Sequence, residues 1–143
     1  MRTGNKDILG HLGDGTNNAE VNTILTSSIE FIIDGGGSVI NTGVVGDVRI
    51  PFDCTILEVT LLADQTGSVV VDIWKDIYSN FPPSNADSIT ASATPTITAS
   101  NKYNDATLTD WTISISAGDI LRFNVDSCTT IRRCTVILKV RRR

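Results

Sequence analysis

The sequence predicts an all-β protein, a two-sheet antiparallel sandwich of jelly-roll-like form preceded by an extended N-terminal arm. Three features predict it. β-branched residues dominate from Ser28 onward, turn-forming clusters recur at about the 8 to 12 residue spacing of sandwiches and barrels, and strand candidates follow one another with no amphipathic helix between them. Without a helix to supply a second layer, a sheet must be closed by another sheet. A chain of 143 residues has the length of one domain and can bury roughly two-thirds of its unfolded surface. With 41% hydrophobic and 20% charged residues, it has the composition of a chain that folds.

Residues 1–27 read as the arm. Gly4, Gly10, Gly13 and Gly15 alternate with Asn and Asp, and the sizeable apolar groups Ile8, Leu9, Leu12, Val21, Ile24 and Leu25 follow no period. Such a segment needs another surface to order it; a short helix over 19–25 is weakly signalled. The sandwich occupies 28–143. Its first strand, 29–34, is stopped by Gly35, Gly36 and Gly37, and a second, 44–50, ends at Pro51, which has no amide hydrogen for a ladder.

Residues 55–63 and 68–75 read as a hairpin around Asp64, Gln65, Thr66 and Gly67. Alternation assigns Leu57, Val59, Leu61 and Ala63 to the core and Ile56, Glu58, Thr60 and Leu62 to the outside. On the partner, Val69, Val71 and Ile73 point inward, with Asp72 marking the outer face and Trp74 part-exposed unless something covers it. Residues 79–105 form a long irregular connection around Pro82 and Pro83, with a short strand at 96–99; such connections often carry function. Strands return at 112–116, at 120–125 after the turn Ala117, Gly118 and Asp119, and at 131–140, where Val136, Leu138 and Val140 share a face.

No apolar run approaches the roughly 20 residues that cross a bilayer, and the N-terminus lacks the pattern of a secretory signal, so no membrane and no such export are expected. Cys54, Cys128 and Cys134 are too few for a secreted disulfide framework and fit reduced thiols in a bacterial-type cytoplasm; a Cys128 to Cys134 bridge is also compatible with their spacing. The net charge of −4 hides an asymmetry. Arg132, Arg133, Lys139, Arg141, Arg142 and Arg143 are six of the twelve basic residues, leaving six basic and sixteen acidic groups, a net of −10, on residues 1–131. Two readings fit this basic end: an electrostatic contact to a neighbour, or a solvated tail that keeps the last strand from aggregating.

Chemistry is poorly supplied. The single histidine, His11, lies in the glycine-rich arm with no triad or ligand partner at useful spacing. Cys128 and Cys134 enclose five residues without the second ligand pair that a zinc site needs. Asp14, Asn17 and Asn18, like Asp105 and Asp110, fit turns better than a calcium loop. Gly35, Gly36 and Gly37 are followed by neither lysine nor helix, so they are no phosphate loop. No carboxylate pair sits on adjacent strands as a glycosidase requires. No catalytic residue, cofactor or metal is therefore expected. Nucleic acid is disfavoured as well, because the basic end lacks aromatic stacking partners and the body is acidic. What remains is surface: Trp74, Ile77, Tyr78 and Phe81 lead into the proline-containing connection, either as interface anchors or as a cap on the end of the sandwich.

Residues 29–92 (IEFIIDGGGSVINTG through PPSNADSITAS) together with 115–127 (ISAGDILRFNVDS) resemble a β-sandwich domain that recurs in virion structural proteins of tailed bacteriophages. The likeness rests on the triple glycine, the segment 43–51, the run 61–75 with its Pro-Pro sequel, and Ala117-Gly118-Asp119-Ile120. It implies a non-enzymatic virion protein, commonly a homotrimer, found decorating capsids or at the tips of fibres. Fibre proteins carry the domain after a long shaft, whereas about 27 residues precede it here, which favours a capsid decoration (cement) protein. Its expected partners are the major capsid protein or other virion proteins, and its place is the virion, assembled in the host cytoplasm. The alternative is a fibre-tip or receptor-binding module contacting the host surface. The residues expected to meet partners are Ile8, Leu9 and Leu12 in the arm, Trp74, Tyr78 and Phe81 at the end of the body, and Arg141, Arg142 and Arg143, paired with acidic groups of a neighbour.

Overall fold

A computed structural model describes residues 18–143. These residues form a helix α1 (Asn18–Leu25) and seven strands: β1 (Thr26–Asp34), β2 (Gly43–Arg49), β3 (Cys54–Asp76), β4 (Thr96–Asp105), β5 (Ser114–Ile115), β6 (Ile120–Thr129) and β7 (Arg133–Arg142). Two single 3-10 turns, Tyr78–Asn80 and Asn85–Asp87, lie between β3 and β4. The fold is all-β, and every strand pairing is antiparallel.

The strands join in one continuous sheet of order β1-β7-β3-β6-β2, with β4 and β5 also paired to β3. The sheet makes two layers by curling. The first half of β3 pairs with β7 and its second half with β6. Its two ends return to the same place, since Thr55 pairs with Ser114 while the Lys75 ammonium donates to the Ser114 carbonyl at 2.8 Å. Across the interior, the rings of Phe31 on β1 and Phe123 on β6 stack with centroids 4.5 Å apart, although the two strands are not neighbours in the sheet. Phe123 and the fully buried Ile33, Ile56, Leu61, Ile73 and Leu138 belong to one core cluster, against which Phe31 packs.

The hairpin expected around residues 64–67 is thus replaced by an uninterrupted bent strand. Gly67 makes the bend sterically feasible: a Cβ there would stand 2.5 Å from the Thr129 carbonyl oxygen and 2.8 Å from Ile131 Cγ1. It is a glycine of close approach. The Asp64 carboxylate accepts the backbone amides of Arg132 and Arg133 at 3.0 and 3.1 Å, and Gln65 donates to the Thr130 carbonyl. These bonds tie the bend of β3 to the β6–β7 connection. β4 follows the same curve through register shifts and runs from 96 to 105, well beyond the short strand expected there. Its Asn, Lys and Asp residues conceal it from a hydrophobic pattern, because its outer positions face water.

A bulge also alters the expected facing. The pairing with β7 shifts between Ile56 and Glu58, so Ile56 is buried and Leu57 exposed, the reverse of simple alternation; one extra residue flips every side chain that precedes it. Val59 and Leu61 are buried as expected, as are Val69, Val71 and Ile73, and Val136, Leu138 and Val140 on β7.

The curl gives the body two unlike ends. At the bend end lie residues 64–67, the β6–β7 connection, and the turn in which the Asp34 carboxylate accepts the Gly36 amide while Gly36 and Gly37 take positive φ. At the open end lie both termini of β3, residues 114–119, the C-terminal arginines and α1. The expected helix over 19–25 is α1, and Thr26 and Ser27, assigned to the arm by composition, already belong to β1.

Candidate interaction surface

The open end is built on polar side chains that are committed to the fold. Asp72 faces outward from β3 as alternation requires, yet it is only 5% exposed. Its carboxylate accepts four hydrogen bonds: from the Ile73 amide at 2.8 Å, Trp74 Nε1 at 2.9 Å, Ser88 Oγ at 2.7 Å and Thr90 Oγ1 at 2.7 Å. Residues 88–95 run along the free edge of β3 and bring in those hydroxyls, with Ile89 N bonded to the Ile73 carbonyl and Val71 N to that of Pro95. Trp74 is therefore buried at 9% exposure and holds the connection in place. It offers no surface to a partner, which corrects the expectation drawn from its position after the core-facing set.

Tyr78 and Phe81 do lie on the surface, at 63% and 48% exposure. Asp76 at the end of β3 accepts the Ile77 amide at 2.7 Å and the Asn80 side chain at 3.2 Å, fixing the 3-10 turn that carries Tyr78. A guanidinium then supports each ring. Arg49 Cζ lies 4.6 Å from the Tyr78 centroid and Arg122 Cζ 5.3 Å from that of Phe81, contacts worth about 0.5 to 1 kcal/mol each at exposed sites. The two cations differ in their other partners. Arg122 is held by Asp47 through both carboxylate oxygens, Nε to Oδ1 at 2.7 Å and Nη2 to Oδ2 at 3.1 Å, a hydrogen-bonded pairing that raises the Arg122 pKa. Among the described residues, Arg49 donates from Nε to the Gly118 carbonyl at 3.3 Å. Between the rings opens a shallow depression of about 390 Å³, lined by Asp47, Arg49, Tyr78, Phe81 and Ile120. The sequence marked the two aromatics; Arg49, Arg122 and Asp47 carried no signal, because they come from strands distant in the chain.

The C-terminal arginines bind their own chain. Arg141 Nε donates to Asn22 Oδ1 at 2.9 Å and Arg142 Nη2 to the Ile24 carbonyl at 2.7 Å, which satisfies one of the orphan carbonyls at the end of α1 with a cation on its negative pole. The Arg142 guanidinium also lies over the Phe52 ring at 5.9 Å. Arg143 reaches the Cys54 carbonyl at 2.6 Å, Thr55 Oγ1 at 2.9 Å, Ser114 Oγ at 3.2 Å and the Ile115 carbonyl at 3.3 Å. The three do not trail as a solvated tail but fasten α1 and β5 to β3 and β7. The geometry follows from register, since Thr26, Arg141 and Thr55 stand side by side across three strands. Ile8, Leu9, Leu12 and His11 lie outside the described residues.

All three cysteines are free thiols. Burial pushes the Cys134 thiol up to about 12 and raises those of Cys54 and Cys128, so each stays protonated at neutral pH and none is an activated nucleophile. Among the described residues, no group of three or more His, Cys, Asp or Glu side chains could hold a metal ion, and no helix is long and apolar enough to cross a membrane.

No protein-family model matches the chain, and none of the curated proteins matches it. Among solved structures it is similar to RmlC from Streptococcus suis in complex with dTDP-D-xylose, with 10% identity and a TM-score of 0.25 over 94% of this chain and 53% of that one. It is also similar to the infectious bursal disease virus Gx strain structure, with 11% identity and a TM-score of 0.20 over 80% of this chain and 37% of that one. The chain thus spans about half the length of the first and about a third of the second. At such TM-scores neither likeness bears on function.

Proposed function

We propose that the chain is a non-enzymatic structural protein of a tailed-bacteriophage virion, a capsid decoration protein that docks through its N-terminal segment and self-associates as a trimer. The observation that carries this reading is the placement of two features at one end of the body. α1, through which residues 1–17 join the sheet, is bound by Arg141 and Arg142 at the open end, and the exposed rings of Tyr78 and Phe81 stand beyond the β3 terminus at that same end. A body anchored by its N-terminal segment therefore turns its exposed aromatics toward whatever it is anchored to. A fibre-tip module needs the opposite, with the anchor at one end and the recognition surface at the other. The polar groups Asp72, Asp47 and Arg143 are engaged in holding the fold together, and the resemblance to phage virion domains supplies the setting.

Sedimentation of the purified full-length chain with undecorated capsids tests the proposal. Saturable co-sedimentation is expected, with deletion of residues 1–17 weakening it by at least tenfold. Failure of the full chain to bind particles would overturn the reading, and saturable binding to host cells instead would replace it with the receptor-binding alternative.

A further inference from the structure

We infer that the depression between Tyr78 and Phe81 is a docking site for an extended segment of a partner protein that presents an apolar or proline side chain beside a carboxylate. This rests on the particle-docking reading above and names the chemistry of the contact. The rings are held out in water at fixed positions, each backed by a guanidinium, and Ile120 floors the space between them. Rings restrained in this way lose little further freedom on binding, and aromatics are the side chains that bury the most area for the fewest rotatable bonds. Nearby Ile77 is also exposed, which extends the apolar surface.

The charge at the site selects among ligands. Both oxygens of Asp47 are occupied by Arg122, so that pair is neutralised within the chain. Arg49 uses one nitrogen on a backbone carbonyl and has no ion pair among the described residues. It offers a cationic fork at the edge of an apolar depression, the complement of a carboxylate. The repeated phosphates of a nucleic acid strand would meet the acidic remainder of the body, whereas a single Asp or Glu beside an apolar side chain places its carboxylate on Arg49 and its apolar group between the rings.

The test uses the full-length chain carrying Tyr78→p-benzoylphenylalanine, assembled onto capsids, irradiated and analysed by mass spectrometry. The expected result is a crosslink to a virion protein segment with an Asp or Glu within about three residues of an apolar or proline side chain. Arg49→Gln and Phe81→Ala should each weaken loading at least fivefold while lowering the urea midpoint of the free protein only slightly, by the loss of one ring–guanidinium contact, and the effect of Arg49→Gln on loading should shrink at high salt. A chain that loads normally yet gives no crosslink from position 78, or crosslinks to glycan or nucleic acid, would overturn the inference and leave the docking reading standing. A chain that never loads would instead remove the docking reading itself.

Discussion

Asp72→Ala is expected to lower the unfolding free energy by about 3 to 5 kcal/mol, because removing the acceptor of a buried network leaves its donors unpaired. Trp74 Nε1 and Thr90 Oγ1 both belong to buried residues and both bond Asp72, and each buried donor left unpaired costs about 1 to 3 kcal/mol. Ser88 and Thr90 hydroxyls, 3.2 Å apart, can turn to one another and recover part of the loss. Asp72→Asn keeps the volume and one acceptor oxygen but points an NH2 group at other donors, so an intermediate loss is expected. Urea unfolding with an unchanged m-value is the measurement, and a loss below about 1 kcal/mol for the alanine variant would show that the network is not the fastening described. The network also anchors the connection that follows the Tyr78 and Phe81 turn.

Gly67→Ala should destabilise by about 2 to 3 kcal/mol, near the upper end for forcing a methyl group into a packed site. The obstructing atom is the Thr129 carbonyl oxygen at 2.5 Å, which belongs to a hydrogen-bonded strand and cannot swing aside as a side-chain tip could. The size of the effect separates two folds. In a hairpin with a solvent-facing turn at 64–67, the alanine would change stability by a few tenths of a kcal/mol. In the bent strand, β3 and β6 must part. Urea unfolding of this variant alone therefore distinguishes the curl from the hairpin that alternation suggests.

The strands were legible wherever a face alternates in apolar residues, as in β7, where Val136, Leu138 and Val140 are all buried. What the pattern hides is continuity. Asp64, Gln65, Thr66 and Gly67 read as a turn because their residue types favour turns, whereas the polar side chains are there to fasten the bend to Thr130, Arg132 and Arg133. The same confusion made Asp72 a solvent marker: a carboxylate on the outer face is exposed by default, unless a later segment brings four donors to it. β4 was visible only over 96–99, and its continuation to Asp105 was hidden because an edge strand can be polar on its outer positions. At the site, Tyr78 and Phe81 were visible as aromatics beyond a strand end. Arg49 and Arg122 reach them from β2 and β6 through pairings that only the folded register brings about.

Arg141, Arg142 and Arg143 have intramolecular partners that the sequence did not indicate. A cluster of like charge at a chain end invites an intermolecular reading, but here backbone carbonyls that strand pairing leaves open, together with nearby side-chain oxygens, absorb those charges. On the proposed reading, partner recognition falls to the N-terminal segment and to Tyr78 and Phe81.

Electron cryomicroscopy of particles carrying the chain tests that arrangement most directly. The account predicts the body standing on the capsid with its open end, α1 and Tyr78 toward the particle and the 64–67 bend pointing outward. A body resting on its bend, or held at a tail tip with Tyr78 and Phe81 turned away from the particle, would contradict it.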